Sequence, residues 1–338
     1  MKSVRPASYF FRLRFRWWGF LMAMGTLTGA ASLLGFLGAL HWLLDLCSHF
    51  RVQYFLGLGV TALLLLMLRQ RRAAAVCGAL ALVNLGVMLP LYFGTTPTLA
   101  AGVVPVRAML INVNTRLGKP TEVAAALRRF NPDLVVLEEV SARWLSDLEP
   151  ALTAYRYSER EPREDNFGIA LYSKFPFTQS RLAYIGDAEV PSVMAEIETP
   201  RGRCTVLATH PLPPAGREYS RLRNAQLAAL PRWVRRATSP VLLLGDLNTT
   251  PWNHYFKRLV AESGLKDSSR GRGVQATWPT FIPLLRIPID HCLCAPEIGI
   301  VNRQVGPHVG SDHYPLIVDF IIGFRDKKNC GEAEDGRK

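Results

Sequence analysis

Trp17 to Leu40 is a run of 24 residues without a single charge. As a helix rising 1.5 Å per residue it covers roughly 36 Å, more than the roughly 30 Å hydrocarbon core of a bilayer. Two further apolar runs follow, Val52 to Leu68 and Ala73 to Phe93, the last interrupted only by Asn84 and Pro90. Three such runs in succession are too many for the buried helices of a water-soluble fold, and the first is too long for the core of a cleaved signal peptide. Residues 17–93 therefore read as a multi-pass transmembrane region, with helices at 17–40, 52–68 and 73–93.

Charge supports this division. Up to Val104 the chain holds nine Lys and Arg against one acid, Asp45, so most of the net charge of +13 flanks the apolar runs. An excess placed there says little about nucleic acid. Lys2, Arg5, Arg12, Arg14 and Arg16 make residues 1–16 a basic tail, and Arg69, Arg71 and Arg72 separate the second run from the third. The positive-inside rule puts both basic segments in the cytoplasm. With three spans, the remainder falls on the other side, periplasmic or extracellular. The expectation is an integral protein of a bacterial inner membrane whose partner is the lipid bilayer; no protein partner is legible. Residues 94–105, with Pro97, Gly102 and Pro105, read as a linker, and the charged stretch 325–338 as a disordered tail. The six cysteines lack the CxxC spacing of a zinc site, and Cys292 with Cys294 fits packing on one face of a strand.

From Val106 the pattern changes to short apolar strands alternating with amphipathic helices, a mixed α/β domain over 106–324. Strands are expected at Ala108–Val113, Leu134–Leu137, Gly168–Tyr172, Cys204–Ala208, Val241–Leu244 and Leu316–Ile322, and helices at Thr121–Arg129 and Arg221–Arg235. Polar residues repeatedly close the strands. Asn112 and Asn114 end the first, Glu138 and Glu139 follow LVVL, His210 follows VLAT, Asp246 and Asn248 follow VLLLG, Asp290 follows IPI, and Ser311-Asp312-His313 precedes the last. Singly, the glutamates suit a solvated strand end, Asp246 and Asn248 a turn, and His210 a structural histidine. Together they suggest one cleft built on loops at a sheet edge.

In this order the residues resemble the endonuclease/exonuclease/phosphatase superfamily. The matching stretches are LINVNT, PDLVVLEEV, FGIALYSKFP, VLATHPLPP, RNAQL, LLLGDLNTTPW, IPIDHCL and GSDHYPL, from about Met109 to Ile317, with GDLNTTP and SDHYPL the most specific. The resemblance implies a four-layer α/β sandwich, two central mixed β-sheets flanked by helices, and a metal-dependent phosphoester hydrolase. It implies that Glu139, Asn112 and Asp312 hold Mg²⁺ (Mn²⁺ substituting), an ion suited to carboxylate and amide oxygens. Asp246 orients or deprotonates the attacking water, Asn248 and Asn114 hold phosphate oxygens, His313 is the catalytic histidine with Asp290 as its carboxylate partner, and His210 binds phosphate or protonates the leaving oxygen. Asn114 stands where many members have Asp.

The substrate stays open at this stage. Arg221, Arg223, Arg232, Arg235 and Arg236 fall on one expected helix, which suits a nucleic-acid contact or an ordinary solvated or packing face, and no dedicated nucleic-acid-binding motif is present. Trp278 to Ile289 (WPTFIPLLRIPI) suits an apolar loop beside a lipid-hydrolysing site, or core packing. Phosphodiester hydrolysis, extending to nucleic acid, stands beside a phospholipid or sugar-phosphate phosphoesterase at the membrane surface and a non-enzymatic binding module.

Overall fold

The computed structural model describes residues 17–99 and 102–324; the expected basic tail (1–16) and charged tail (325–338) lie outside the described residues. Two helices are long and apolar enough to cross a membrane, Trp17–Leu37 and Arg71–Tyr92. The middle run is built differently. A short helix α2 (Trp42–Cys47) meets α3 (Arg51–Met67) at a bend of 67°, and the pair counts as a third span only if taken as one. The helices α1 (Trp17–Leu34), α3 and α4 (Arg71–Met88) pack through Leu58, Leu65, Ala74, Cys77 and Ala81. Gly25 and Gly29 permit this closeness, since a Cβ would come within 2.8 Å of Cys77 Sγ and Leu80 Cδ1 respectively. Leu63, Leu66, Met67, Val76 and Leu82 point outward and exposed, as suits helices solvated by lipid. Within the bundle Arg51 donates to Ser32 O at 2.9 Å and Asn84 Oδ1 at 3.2 Å, and Asn84 donates to Ser32 Oγ at 2.8 Å, so these polar side chains pair with one another away from lipid.

The remainder forms two six-stranded sheets. The first runs in the order β11 (Ile298–Val305), β12 (Leu316–Ile322), β1 (Val106–Asn112), β2 (Leu134–Glu138), β4 (Ile169–Ser173), β3 (Tyr157–Glu161). The second runs β5 (Phe177–Tyr184), β6 (Pro191–Thr199), β7 (Gly202–Thr209), β8 (Val241–Asp246), β10 (Asp290–Cys294), β9 (Lys266–Asp267). Only β1–β2 and β7–β8 pair in parallel, so both sheets are mixed. Ala108, Leu110, Leu134, Val136, Leu242 and Leu244 fill the core between the sheets. Their neighbours Met109, Ile111, Val135 and Leu137 face α5 (Pro120–Phe130) and α6 (Ala142–Leu152), while Leu243 and Leu207 face α7 (Arg217–Arg236) and α8 (His254–Ser263). Burial on both faces is why these strands read as unbroken apolar runs rather than alternations. The expected four-layer sandwich is the fold found. Cys292 and Cys294 lie in the central core with free thiols, as the packing reading expected.

Two details add to the expectation. The chain entering the 94–105 linker lies against the domain: Leu91 O accepts from Gly271 N and Gly273 N, and a Cβ on Gly94 would meet Arg270 O at 2.7 Å. The arginines of α7 also separate, with Arg221, Arg232, Arg235 and Arg236 exposed and Arg223 fully buried.

Candidate active site

Strand register brings the polar strand ends together. Asn112 at the end of β1 pairs with Glu138 at the end of β2, and Asp246 at the end of β8 pairs with Asp290 at the start of β10. The two sheets meet at this edge, where Glu138, wholly buried, accepts from Asp246 N at 3.0 Å. Asn112 Nδ2 reaches Glu139 Oε1 at 3.0 Å and Asp246 Oδ2 at 3.3 Å. β12 pairs antiparallel with β1, Leu316 opposite Leu110, which sets the preceding Ser311-Asp312-His313 loop over the same spot. His313 Nδ1 lies 3.0 Å from Asp290 Oδ2, and its Nε2 is 3.5 Å from Asp246 Oδ2. His210, at the end of β7, comes within 3.6 Å of Asp246 Oδ2, and Asn248 Nδ2 lies 3.3 Å from His210 Nε2. Asn114 donates to Asp312 Oδ1 at 2.8 Å. The structure thus joins all of the sequence-selected site residues in one network.

Three of them, Asn114, Glu139 and Asn248, take positive φ (46°, 60° and 49°). Left-handed backbone is uncommon outside glycine, and residues held there concentrate at working sites. A cleft of about 610 Å³ opens over the network, lined by Glu139, His210, Asp246, Asn248, Asp312 and His313. Its further walls include Phe167, Tyr219, Trp278, Ile287 and, from the α2–α3 bend, Leu46, His49 and Phe50.

Burial and mutual charge set the protonation states. Burial opposes a charge on His313, yet Asp290 and Asp246 outweigh it and push the imidazole up to about 10. Burial pushes Asp246 up to about 8, the His313 charge opposing and Asp290 and Glu139 adding. Asp290 is lowered despite burial, because His313 pairs with it. Burial, with the His313 charge, drops His210 to about 3 and keeps it neutral. Burial also raises Glu138 and Glu139.

The donor set fits a hard cation. Ligand atoms of Asp246, Asp290 and His313 lie within 4.8 Å of one another. Glu139 gives the plainer sign, since its Oε2 is buried with no hydrogen-bond partner. A buried carboxylate oxygen in that condition calls for a positive partner, and carboxylates with amide oxygens are magnesium's usual protein donors.

Several contributors were given no site role from the sequence. Glu138, beside the selected Glu139, faces between the sheets and fixes the Asp246 backbone. Trp278 Nε1 donates to Asp312 Oδ2 at 2.9 Å. Arg303, fully buried, donates to Asp290 O at 3.2 Å. Only Glu138 was within reach of sequence reading, through its place in the paired glutamates.

Two mixed sheets carrying a carboxylate, amide and imidazole cluster at their shared edge define a metal-dependent phosphoester hydrolase. Residues 109–313 match the model of the Endonuclease/Exonuclease/phosphatase family, and the chain belongs to that family. Among solved structures it is similar to an endonuclease/exonuclease/phosphatase from Beutenbergia cavernae DSM 12333, at 21% identity and TM-score 0.50 over 65% of this chain and 72% of that one. It is also similar to the human Nocturnin catalytic domain with bound sulfate, at 21% identity and TM-score 0.53 over 64% and 94%. D. rerio TDP2 complexed with single strand DNA product matches at 17% identity and TM-score 0.52 over 64% and 98%. These likenesses extend to the fold. No curated protein matches the chain.

Proposed function

We propose that the protein is a membrane-anchored, Mg²⁺-dependent phosphodiesterase that hydrolyses a phospholipid phosphodiester at the bilayer surface by in-line attack of water. The observation carrying this reading is a hydrolase site walled on one side by the segment leading into the membrane helices. Glu139, Asn112 and Asp312 would hold Mg²⁺, which when bound supplies Lewis-acid polarisation of a phosphoryl oxygen. Asp246 orients the water and takes its proton. The Asn248 amide and neutral His210 steady phosphate oxygens, and Asn114 keeps Asp312 in place. Asp290 fixes the His313 tautomer, so that His313 presents its proton at Nε2 to developing charge.

Three features support a lipid over a polyanion. No Lys or Arg is among the described residues lining the cleft, whereas nucleic-acid grooves track the backbone with cations. Phe281 and Leu284 stand 66% and 83% exposed in the loop leading to Ile287. Gln53 Nε2 donates to Arg286 O at 3.0 Å, holding this apolar loop beside the start of α3, the end of the bundle away from Arg69 to Arg72. The positive-inside rule would then place the catalytic domain outside the cytoplasm.

The test uses the full chain in lipid nanodiscs with Mg²⁺, presented in parallel with bis-p-nitrophenyl phosphate, phospholipid, RNA and plasmid DNA. Phospholipid turnover is expected; turnover of DNA or RNA alone would support the nuclease reading that the TDP2 likeness suggests, and would overturn this one. Replacing Phe281 and Leu284 together by serine should lower turnover of vesicle phospholipid by about tenfold or more, because each apolar side chain buried in lipid contributes roughly 1.5–3 kcal/mol. Hydrolysis of soluble bis-p-nitrophenyl phosphate should hold steady in that variant. Trp278→Phe removes the N–H that orients Asp312 and should raise the Mg²⁺ concentration for half-maximal rate by about 10-fold or more, as loss of outer partners does at metal sites. A magnesium titration reads it directly.

A further inference from the structure

Asp45, the only acid before Pro105, is 1% exposed and forms a close ion pair with Arg223 of α7, itself fully buried. The same guanidinium donates from Nη1 to the Asn248 carbonyl at 2.8 Å. The rest of the loop from Asn248 to Asn253 is gripped by the same short segment. Thr250 Oγ1 lies 3.1 Å from His49 Nδ1, Trp252 Nε1 donates to His49 O at 3.1 Å, and Asn253 Nδ2 donates to Asp45 Oδ1 and, at 3.0 Å, to Ser48 Oγ. From the catalytic side Asp246 Oδ1 accepts from Asn248 N at 2.9 Å, Pro211 O accepts from Asn248 Nδ2 at 2.9 Å, His210 Nε2 lies 3.3 Å from the same amide, and His291 reaches Thr249 O at 2.8 Å. A left-handed asparagine such as Asn248 keeps its conformation when its surroundings over-determine it; residues 45–49 add to that hold through Arg223, and they supply most of the hydrogen bonds that fix Thr250, Trp252 and Asn253.

We infer that the Asp45–His49 segment is a working part of the active site, with Asp45 a positioning residue that fixes Asn248 through Arg223. It rests on the proposed role of Asn248 against the phosphate. The membrane region then does more than tether the hydrolase: it templates the loop that receives the substrate.

The experiment compares full-length wild type, Asp45→Asn, Arg223→Gln and the double variant in nanodiscs. It measures kcat and KM on bis-p-nitrophenyl phosphate, the thermal midpoint, and hydrogen exchange of the amides from Asn248 to Asn253. Asp45→Asn strands a buried cation and should lose both stability and kcat. The double variant removes the stranded charge and should regain most of the midpoint. Its kcat should stay about tenfold or more below wild type with KM changed less than about threefold, because the Asn248 carbonyl remains unheld. Recovery of kcat together with stability in the double variant would reduce the pair to a docking contact and overturn the proposal, as would wild-type kcat in Asp45→Asn. If the wild type turns over nothing, the proposed function fails, and exchange still decides the clamp. Faster exchange confined to Asn248–Asn253 in the double variant supports it, and unchanged exchange refutes it.

Discussion

His313→Ala should lower kcat by about 10²–10⁴-fold, the usual worth of a positioned proton donor or acceptor, with Mg²⁺ and substrate at saturation. The imidazole is fixed at both ends, Nδ1 by Asp290 and Nε2 toward Asp246. His313 also lines the cleft, where the proposed reaction would develop charge on a phosphoryl oxygen. The loss should fall on kcat more than on KM, since the group acts on charge that grows in the transition state. His313→Gln serves as the control: it can still donate to Asp290 but carries no charge, so it should keep more stability than the alanine variant and no more activity. The backbone there is set by Ser311 Oγ accepting from His313 N at 3.0 Å, which neither substitution touches. Circular dichroism with a thermal scan separates the two effects, and near-wild-type kcat in the alanine variant would remove His313 from the chemistry.

Why the site was largely legible in the sequence, and the rest was not, follows from where each signal lives. Asn112, Glu139, Asp246 and Asp290 each stand beside a strand whose two faces are both buried, so a polar residue there breaks an apolar run and shows in one dimension. Register does not show. That Asp246 would face Asp290 and Asn112 face Glu138 depends on hydrogen-bond pairing across long separations. β3 was missed because its sequence, YSERE, is an edge strand with mostly solvated side chains, and edges are commonly blunted with charge. Arg223 stayed undecided for the converse reason. On helical spacing it belongs with exposed arginines, and only a carboxylate from 178 positions earlier in the chain explains why it is buried. The apolar run from Val52 read as an independent span, but a 67° bend precedes it where Asp45, Ser48 and His49 are bound to Arg223, Thr250, Trp252 and Asn253.

Asp246→Asn should abolish most turnover, on the order of 10²–10⁴-fold because an amide cannot accept the water's proton, while making the metal-free protein more heat-stable. The two halves share one cause. Asp246 is buried beside Asp290, Glu138 and Glu139, and burial raises its pKa from 3.8 to about 8. An acid raised on folding binds its proton more tightly in the native state, so its contribution to stability is favourable below about pH 4 and is lost as pH rises toward 8. The asparagine has no such charge to suppress. The advantage of the variant should therefore be absent at pH 4, grow through neutrality and level off above pH 8, each kcal/mol appearing as about 2–4 °C in midpoint. Asn248 N can still donate to the amide oxygen as it now does to Oδ1 at 2.9 Å, so the turn need not move. Thermal scans in chelator at several pH values measure this. A variant that is less stable than wild type at pH 8 would mean the carboxylate is a structural anchor. A variant that is stabilised and silent would mark Asp246 as a residue whose ionisation the fold tolerates for the sake of the reaction.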